Sequence, residues 1–168
     1  MKKGNVMDAD NECLVIRPGN ALRGVARVPG DKSISHRAVL LGALAEGQTE
    51  VRGWLAAGDT EASLRAAQAL GVQVERHDAN TLTIHGGMLK EPRETLDLVN
   101  AGTGIRLLAG IMAGQSFPCV LDGSEQLRRR PMRRIITPLE MMGARIEARD
   151  GRAPLKITPA NLKGIHYD

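Results

Sequence analysis

Two stretches of this chain set a glycine, a hydroxyl residue and an arginine at the opening of an apolar run. They are Gly30-Asp31-Lys32-Ser33-Ile34-Ser35-His36-Arg37 and Asn100-Ala101-Gly102-Thr103-Gly104-Ile105-Arg106. A helix begun at such a point presents unpaired N–H groups and the positive end of its dipole, so each opening suits an anionic ligand group, with a cation one turn further in. At the first opening a phosphate or carboxylate oxygen would meet backbone N–H groups, the Ser33 hydroxyl and the Lys32 ammonium together. The plainer alternative is a Ser or Asp cap beside a solvated lysine. Arg37 lies on the ridge continued by Leu40 and Leu44, where an unpaired guanidinium is costly, so an acidic partner from protein or ligand is expected.

At the second opening Gly102 has no side chain to keep a ligand from the backbone, or else simply makes a turn. Arg106 is the sole charge between Gly102 and Gly114 and either touches a ligand or braces its helix. A third group of cations, Arg128, Arg129, Arg130, Arg133 and Arg134, crowds one short segment. Arg130 precedes Pro131, whose ring restricts it to extended backbone and so aims its side chain. The other four read as a solvated face, and Asn100, His36 and Asp59 read as structural.

The elements that must position these residues repeat. Arg37 and Arg106, Gly47-Gln48 and Gly114-Gln115, and the turns at Gly71 and Gly143 recur at a spacing of roughly seventy residues. In the first copy Leu22 to Val28 reads as an entering strand. Ser33 to Glu46 reads as a helix apolar on most sides, ended by Gly47, and Thr49 to Val51 opens the next strand. Asp59 is the expected N-cap of a helix to Leu70, whose Ala62, Ala66 and Ala69 oppose a Glu61/Arg65 face, so that it should face water. A hairpin over Val72 to Arg76 and Thr81 to His85 turns at Ala79-Asn80.

The second copy reads as strand Leu96 to Val99, buried helix Thr103 to Ala113, strand Pro118 to Leu121, a helix ending at Gly143, and strands Ala144 to Ala148 and Leu155 to Thr158. Pro138 requires that last helix either to start late, near Thr137, or to kink. The pattern is α/β, βαβαββ twice, with one interior and one exterior helix per unit. If the units are related by rotation, the openings at Ser33 and Thr103 lie side by side.

Composition bounds the function. The chain has 168 residues and a formal charge of +4 and is 42% hydrophobic, which suits one ordinary domain. Its only aromatics, Trp54, Phe117 and Tyr167, offer little surface for stacking exposed bases, so small phosphorylated or carboxylated ligands fit better than nucleic acid. Cys13 and Cys119 have neither zinc nor redox spacing and read as plain thiols. No stretch has the length of a membrane span or a signal sequence, so a cytoplasmic location is expected.

The runs Pro29 to Arg37, Asn100 to Arg106 and Arg130-Pro131-Met132, in this order, resemble the 5-enolpyruvylshikimate-3-phosphate synthase family over nearly the whole chain from about Glu12. The resemblance implies transfer of the enolpyruvyl group of phosphoenolpyruvate to the 5-hydroxyl of shikimate 3-phosphate, in the pathway to chorismate and the aromatic amino acids. No metal or organic cofactor is implied. It further implies an enolpyruvyl transferase-like inverse α/β barrel, two similar domains each built from three βαβαββ units around buried parallel helices.

Carried over, Lys32 resembles the catalytic lysine serving both substrates, and Ser33 and Arg37 resemble contacts to shikimate 3-phosphate. Gly102 and Arg130 resemble contacts to phosphoenolpyruvate, with Thr103 and Arg106 in support. Alanine in place of that glycine accompanies glyphosate tolerance in the family, so Gly102 implies a glyphosate-sensitive complete enzyme. The related UDP-N-acetylglucosamine enolpyruvyl transferase carries Lys-Asn where this chain has Lys32-Ser33, which sets it aside.

Family chains are well over twice as long. Residues 1–20 are expected to form a segment whose strand, Cys13 to Ile16, joins a second domain. Residues 21–168 are expected to form a partial transferase domain of two units, about 21–90 and 91–160. A complementary C-terminal portion would then be required, and the chain alone is expected to be inactive. The competing reading is a basic binding module in which Arg128 to Arg134 docks nucleic acid or an acidic protein.

Overall fold

The structure, a computed structural model, describes residues 16, 18, 19, 21 and 23–167. Cys13 and Leu22, where two strands were expected to begin, lie outside the described residues.

Helix α1, Lys32–Leu44, opens under Asp31, whose carboxylate accepts the Ile34 N–H at 2.7 Å. Strand β1, Gly47–Arg52, leaves it through Gly47, whose φ of +91° is left-handed. Helix α2, Gly58–Ala69, and strands β2, Gln73–Arg76, and β3, Thr81–Gly86, complete the first unit. The second unit runs β4, Leu96–Asp97; α3, Gly102–Ala113; β5, Cys119–Asp122; α4, Glu125–Arg128; α5, Arg133–Met141; β6, Arg145–Arg149; and β7, Arg152–Thr158.

The internal repeat is visible in the ladders. One sheet has the order β1-β3-β2, all antiparallel; the other has β4-β5-β7-β6, with β4 parallel to β5 and the remaining pairs antiparallel. Thus β1, β3 and β2 correspond to β5, β7 and β6. Among the described residues the first sheet has no counterpart of β4: residues 23–28 are exposed and form no strand, contrary to expectation. Leu96 of β4 is buried against the rest of its sheet, whereas Val25 and Val28 have no such cover. A strand needs a neighbour to pair with, and apolar residues alone do not supply one.

Helices α1 and α2 lie side by side and run the same way. Lys32 Nζ meets Asp59 Oδ2 at 3.0 Å, and one turn on, His36 Nδ1 is 2.8 Å from Ser63 Oγ, an equal step along both helices. The first turn of α3 wedges into this pair through Gly104. The core between helices and sheets is aliphatic, built around Leu82, Ile84, Leu98, Ile105, Leu108, Leu121 and Leu155, with Trp54 at its edge under the Arg76 guanidinium.

Three expectations are corrected, and one alternative left open by the sequence is excluded. Helix α2 does not face water: Thr60, Ala62, Ser63, Leu64, Ala66 and Ala67 are all buried, because small side chains let α1 and α3 approach on two sides. Asp59 does not cap it, since the helix begins at Gly58 after Ala57, which leaves the Asp59 carboxylate in the first turn, turned to Lys32. Helix α1 is covered on one side only, with Ile34 and Leu41 at 68% and 64% exposure. Of the two alternatives at Pro138 the late start is excluded, since α5 starts at Arg133 and runs through the proline.

Candidate functional site

The expected residues fall into two groups joined by a buried contact. On α1, Lys32 is half-exposed in its pair with Asp59, and Ser33 and Arg37 stand one above the other on the open face. Arg37 is exposed rather than buried, its Nη1 donating to the Ser33 carbonyl at 3.0 Å. The ridge it shares with Leu40 turns outward at its own level, so it needs no acidic partner. On α3, Gly102 is buried and Thr103 partly so, at an opening that no side chain caps.

The α3 opening shares this lack of a side-chain cap with α2 and α5, whereas α1 and α4 are capped by Asp31 and Ser124. Cations cover the α3 opening. A methyl group on Gly102 would come within 2.5 Å of Arg130 Nη1 and 3.2 Å of Arg106 Nη1, so both guanidiniums bear on the spot the glycine leaves open. Arg106 donates from Nη1 to the Gly102 carbonyl at 2.8 Å and from Nη2 to the Pro131 carbonyl at 3.0 Å, and its Nε is buried without a partner. Burial, then the positive charges of Arg134 and Arg130, push its pKa down.

The arginine run is sorted by its partners. Arg128 grips Asp122 through Nε and Nη2, at 2.9 and 2.5 Å, and Arg129 pairs with Glu125. Among the described residues Arg106, Arg130 and Arg134 have no carboxylate partner. Three uncompensated guanidiniums beside an uncapped helix opening favour a multiply charged anion there.

The two openings are neighbours. Gly104 packs so closely on α1 and α2 that a methyl group there would clash with Ser63 Oγ and lie 3.5 Å from His36 Nδ1. His36 is wholly buried, and burial first, then Lys32 and Arg37, hold its pKa below the ordinary value, while Asp59 works the other way.

Residues 16–168 match the family described as EPSP synthase (3-phosphoshikimate 1-carboxyvinyltransferase). The chain belongs to the EPSP synthase family. It is 52% identical over 157 residues to the 3-phosphoshikimate 1-carboxyvinyltransferase of Hydrogenovibrio crunogenus, covering 90% of this chain and 35% of that protein. It is 54% identical over 156 residues to that of Acidithiobacillus ferrooxidans, covering 91% and 36%. The solved EPSP synthase of Acinetobacter baumannii matches at 45% identity and a TM-score of 0.82, covering 89% of this chain and 35% of that one. The chain therefore spans about a third of the length of the EPSP synthases it matches, and its two units have the α/β fold of that family.

Three residues shape this arrangement beyond what the sequence predicts: Ser63 and Ser124 carry no signal in it, and Asp59 is expected only as a cap. Asp59 holds Lys32, Ser63 holds His36, and Ser124 donates its hydroxyl to the Asn100 side chain at the base of α3. Asp59 and Ser63 share a four-residue step with Lys32 and His36, a signal legible only once α1 and α2 are known to be adjacent. Cys119 is a buried thiol pushed up to about 11 by burial, and has no part in the site.

Proposed function

We propose that this chain is the part of a 3-phosphoshikimate 1-carboxyvinyltransferase that seats both substrates. Such an enzyme joins C2 of phosphoenolpyruvate to the 5-hydroxyl oxygen of shikimate 3-phosphate as that hydroxyl gives up its proton, protonates the methylene carbon to a methyl group, and then expels phosphate as the methyl carbon loses a proton, which restores the enolpyruvyl double bond. In this reading Ser33 and Arg37 hold shikimate 3-phosphate on the open face of α1. Gly102 and Arg130 hold phosphoenolpyruvate at the α3 opening, with Thr103 and Arg106 in support. Lys32 serves both substrates from between them.

The observation that carries this reading is the uncapped α3 opening under Arg106 and Arg130. Its geometry suits a compact dianion whose oxygens take N–H bonds and guanidinium bonds at once. A nucleic-acid interface draws less support, because Arg128 and Arg129 are already occupied by Asp122 and Glu125. A cytoplasmic, small-molecule enzyme follows from the same reading; among the described residues no helix is long and apolar enough to cross a membrane.

Addition to the double bond needs a proton donor, a base for the attacking hydroxyl and a cleft closed to water. The groups gathered at these openings supply anion seating and one side of such a cleft. Turnover accordingly requires a complementary C-terminal portion, and glyphosate is the expected inhibitor of the completed enzyme. Phosphate release should be assayed with both substrates, using this chain alone and with the C-terminal remainder of the Acinetobacter baumannii protein, both made in a host lacking its own synthase. Release is expected only from the pair. Product from the chain alone, or none from a pair that demonstrably associates, would overturn the proposal.

A further inference from the structure

Arg130 sits in a turn, and a turn does not by itself hold a long side chain over a helix opening. Backbone bonds fix the turn at two points: the Arg130 N–H donates to the Leu127 carbonyl at 3.0 Å, and the Met132 N–H to the Gly151 carbonyl at 2.8 Å. Both anchors belong to the α4–β7 side of the unit. Only Arg106, of the groups described above, ties the turn to α3 itself, through the Pro131 carbonyl.

We infer that Arg106 is a positioning residue, a strap between the α3 opening and the Arg130 turn that sets the Arg130 guanidinium over Gly102. The inference rests on the anion-seat reading above and names what makes that seat specific. The Arg106 fork donates in two directions, to the Gly102 carbonyl from Nη1 and to the Pro131 carbonyl from Nη2. A planar guanidinium holds two such bonds at a fixed angle, whereas an ammonium on a flexible stem does not.

The strap is made against electrostatics. Arg106 has no acidic partner among the described residues, its Nε is buried and unbonded, and Arg130 and Arg134 repel it. A side chain whose role was ion pairing would not rest there. With Nη1 and Nη2 both engaged on backbone carbonyls, Arg106 holds the wall of the seat and Arg130 presents the charge. The other ties between these segments, the Ser124 hydroxyl on the Asn100 side chain and the Ser124 N–H on the Val99 carbonyl at 2.9 Å, secure the start of α4 and leave the Arg130 turn to Arg106.

Hydrogen exchange on the ligand-free chain tests this with no assumption about substrate. Arg106→Lys keeps the charge and loses the fork. Exchange at the Arg130 and Met132 amides is expected to quicken at least tenfold while β5 and β7 keep their protection. Unchanged rates at those two amides overturn the inference, and so does loss of protection throughout β5 and β7, which would make Arg106 a general core residue.

A second measurement excludes a merely structural role. Phosphoenolpyruvate affinity, read by amide shifts, should fall about fivefold on Arg106→Lys in the native background and hardly at all in an Arg130→Ala background, because the effect passes through Arg130. Equal losses in both backgrounds overturn the strap. If the native chain binds no phosphoenolpyruvate, the seat reading fails by itself, and the exchange rates still decide the role of Arg106.

Discussion

Gly104 of α3 and Ser63 of α2 touch so closely that the glycine has no room for even a methyl group. Since Ser63 is also bonded to His36 of α1, this one contact fastens the first turn of α3 to α1 and α2 one turn behind their openings. The position of the proposed anion seat depends on it.

Gly104→Ala is therefore expected to destabilise the chain by about 1–3 kcal/mol, as overpacking does, although alanine is the better helix former. Gly110, in the same helix, is exposed with no atom near a built methyl group, so Gly110→Ala should stabilise by up to about 1 kcal/mol. Urea unfolding of the two variants reads the opposite signs directly.

Gly102→Ala should behave differently from Gly104→Ala. Its methyl group meets the far end of the Arg130 side chain, which can move, rather than a locked neighbour. Stability should change little, while phosphoenolpyruvate binding weakens as Arg130 is displaced. Calorimetry on the completed enzyme checks this, with glyphosate affinity expected to fall as well.

Lys32→Ala separates folding from binding. The Lys32–Asp59 pair has side chains 52% and 27% exposed and contributes about 0–1 kcal/mol to stability. A charge-assisted bond to a substrate phosphate contributes roughly 1.5–3 kcal/mol. The variant should thus fold almost normally and lose at least tenfold in shikimate 3-phosphate affinity, measured by calorimetry on the completed enzyme.

His36 makes stability depend on pH. Its folded pKa is below the ordinary 6.5, so the unfolded chain binds the extra proton first and stability rises with pH across that window. The His36 contribution is intact above the ordinary value and is lost as pH falls through it towards the depressed folded value. Unfolding free energies measured over this range should drop on acidification, and His36→Asn should flatten that part of the curve.

The repeat was legible because glycines and arginines recur at matching places, and the two helix openings stood out by residue type. Burial was less legible. Helix α2 reads as a surface helix, since Glu61 and Arg65 oppose Ala62, Ala66 and Ala69, yet Thr60 and Ser63 are buried as well, their hydroxyls satisfied by the Leu55 carbonyl and by His36. Arg37 reads as buried because Leu40 continues its ridge, but the covered face of α1 begins elsewhere, at His36 and Val39. Helix α4 spans four residues, too few to show a period. The sorting of the arginines into paired and free was invisible for a further reason: it depends on Asp122 lying under Arg128 in space.

The central claim is that the α3 opening, bare of any cap and overlooked by Arg130, is where the phosphorylated three-carbon donor sits. Titrating the isotopically labelled chain with phosphoenolpyruvate while following its backbone amides tests this most directly. Saturable shifts are expected at Gly102, Thr103 and Gly104, and they should be lost in Arg130→Ala. Shifts confined to Arg129, Arg133 and their exposed neighbours, with the α3 amides unmoved, would contradict the account.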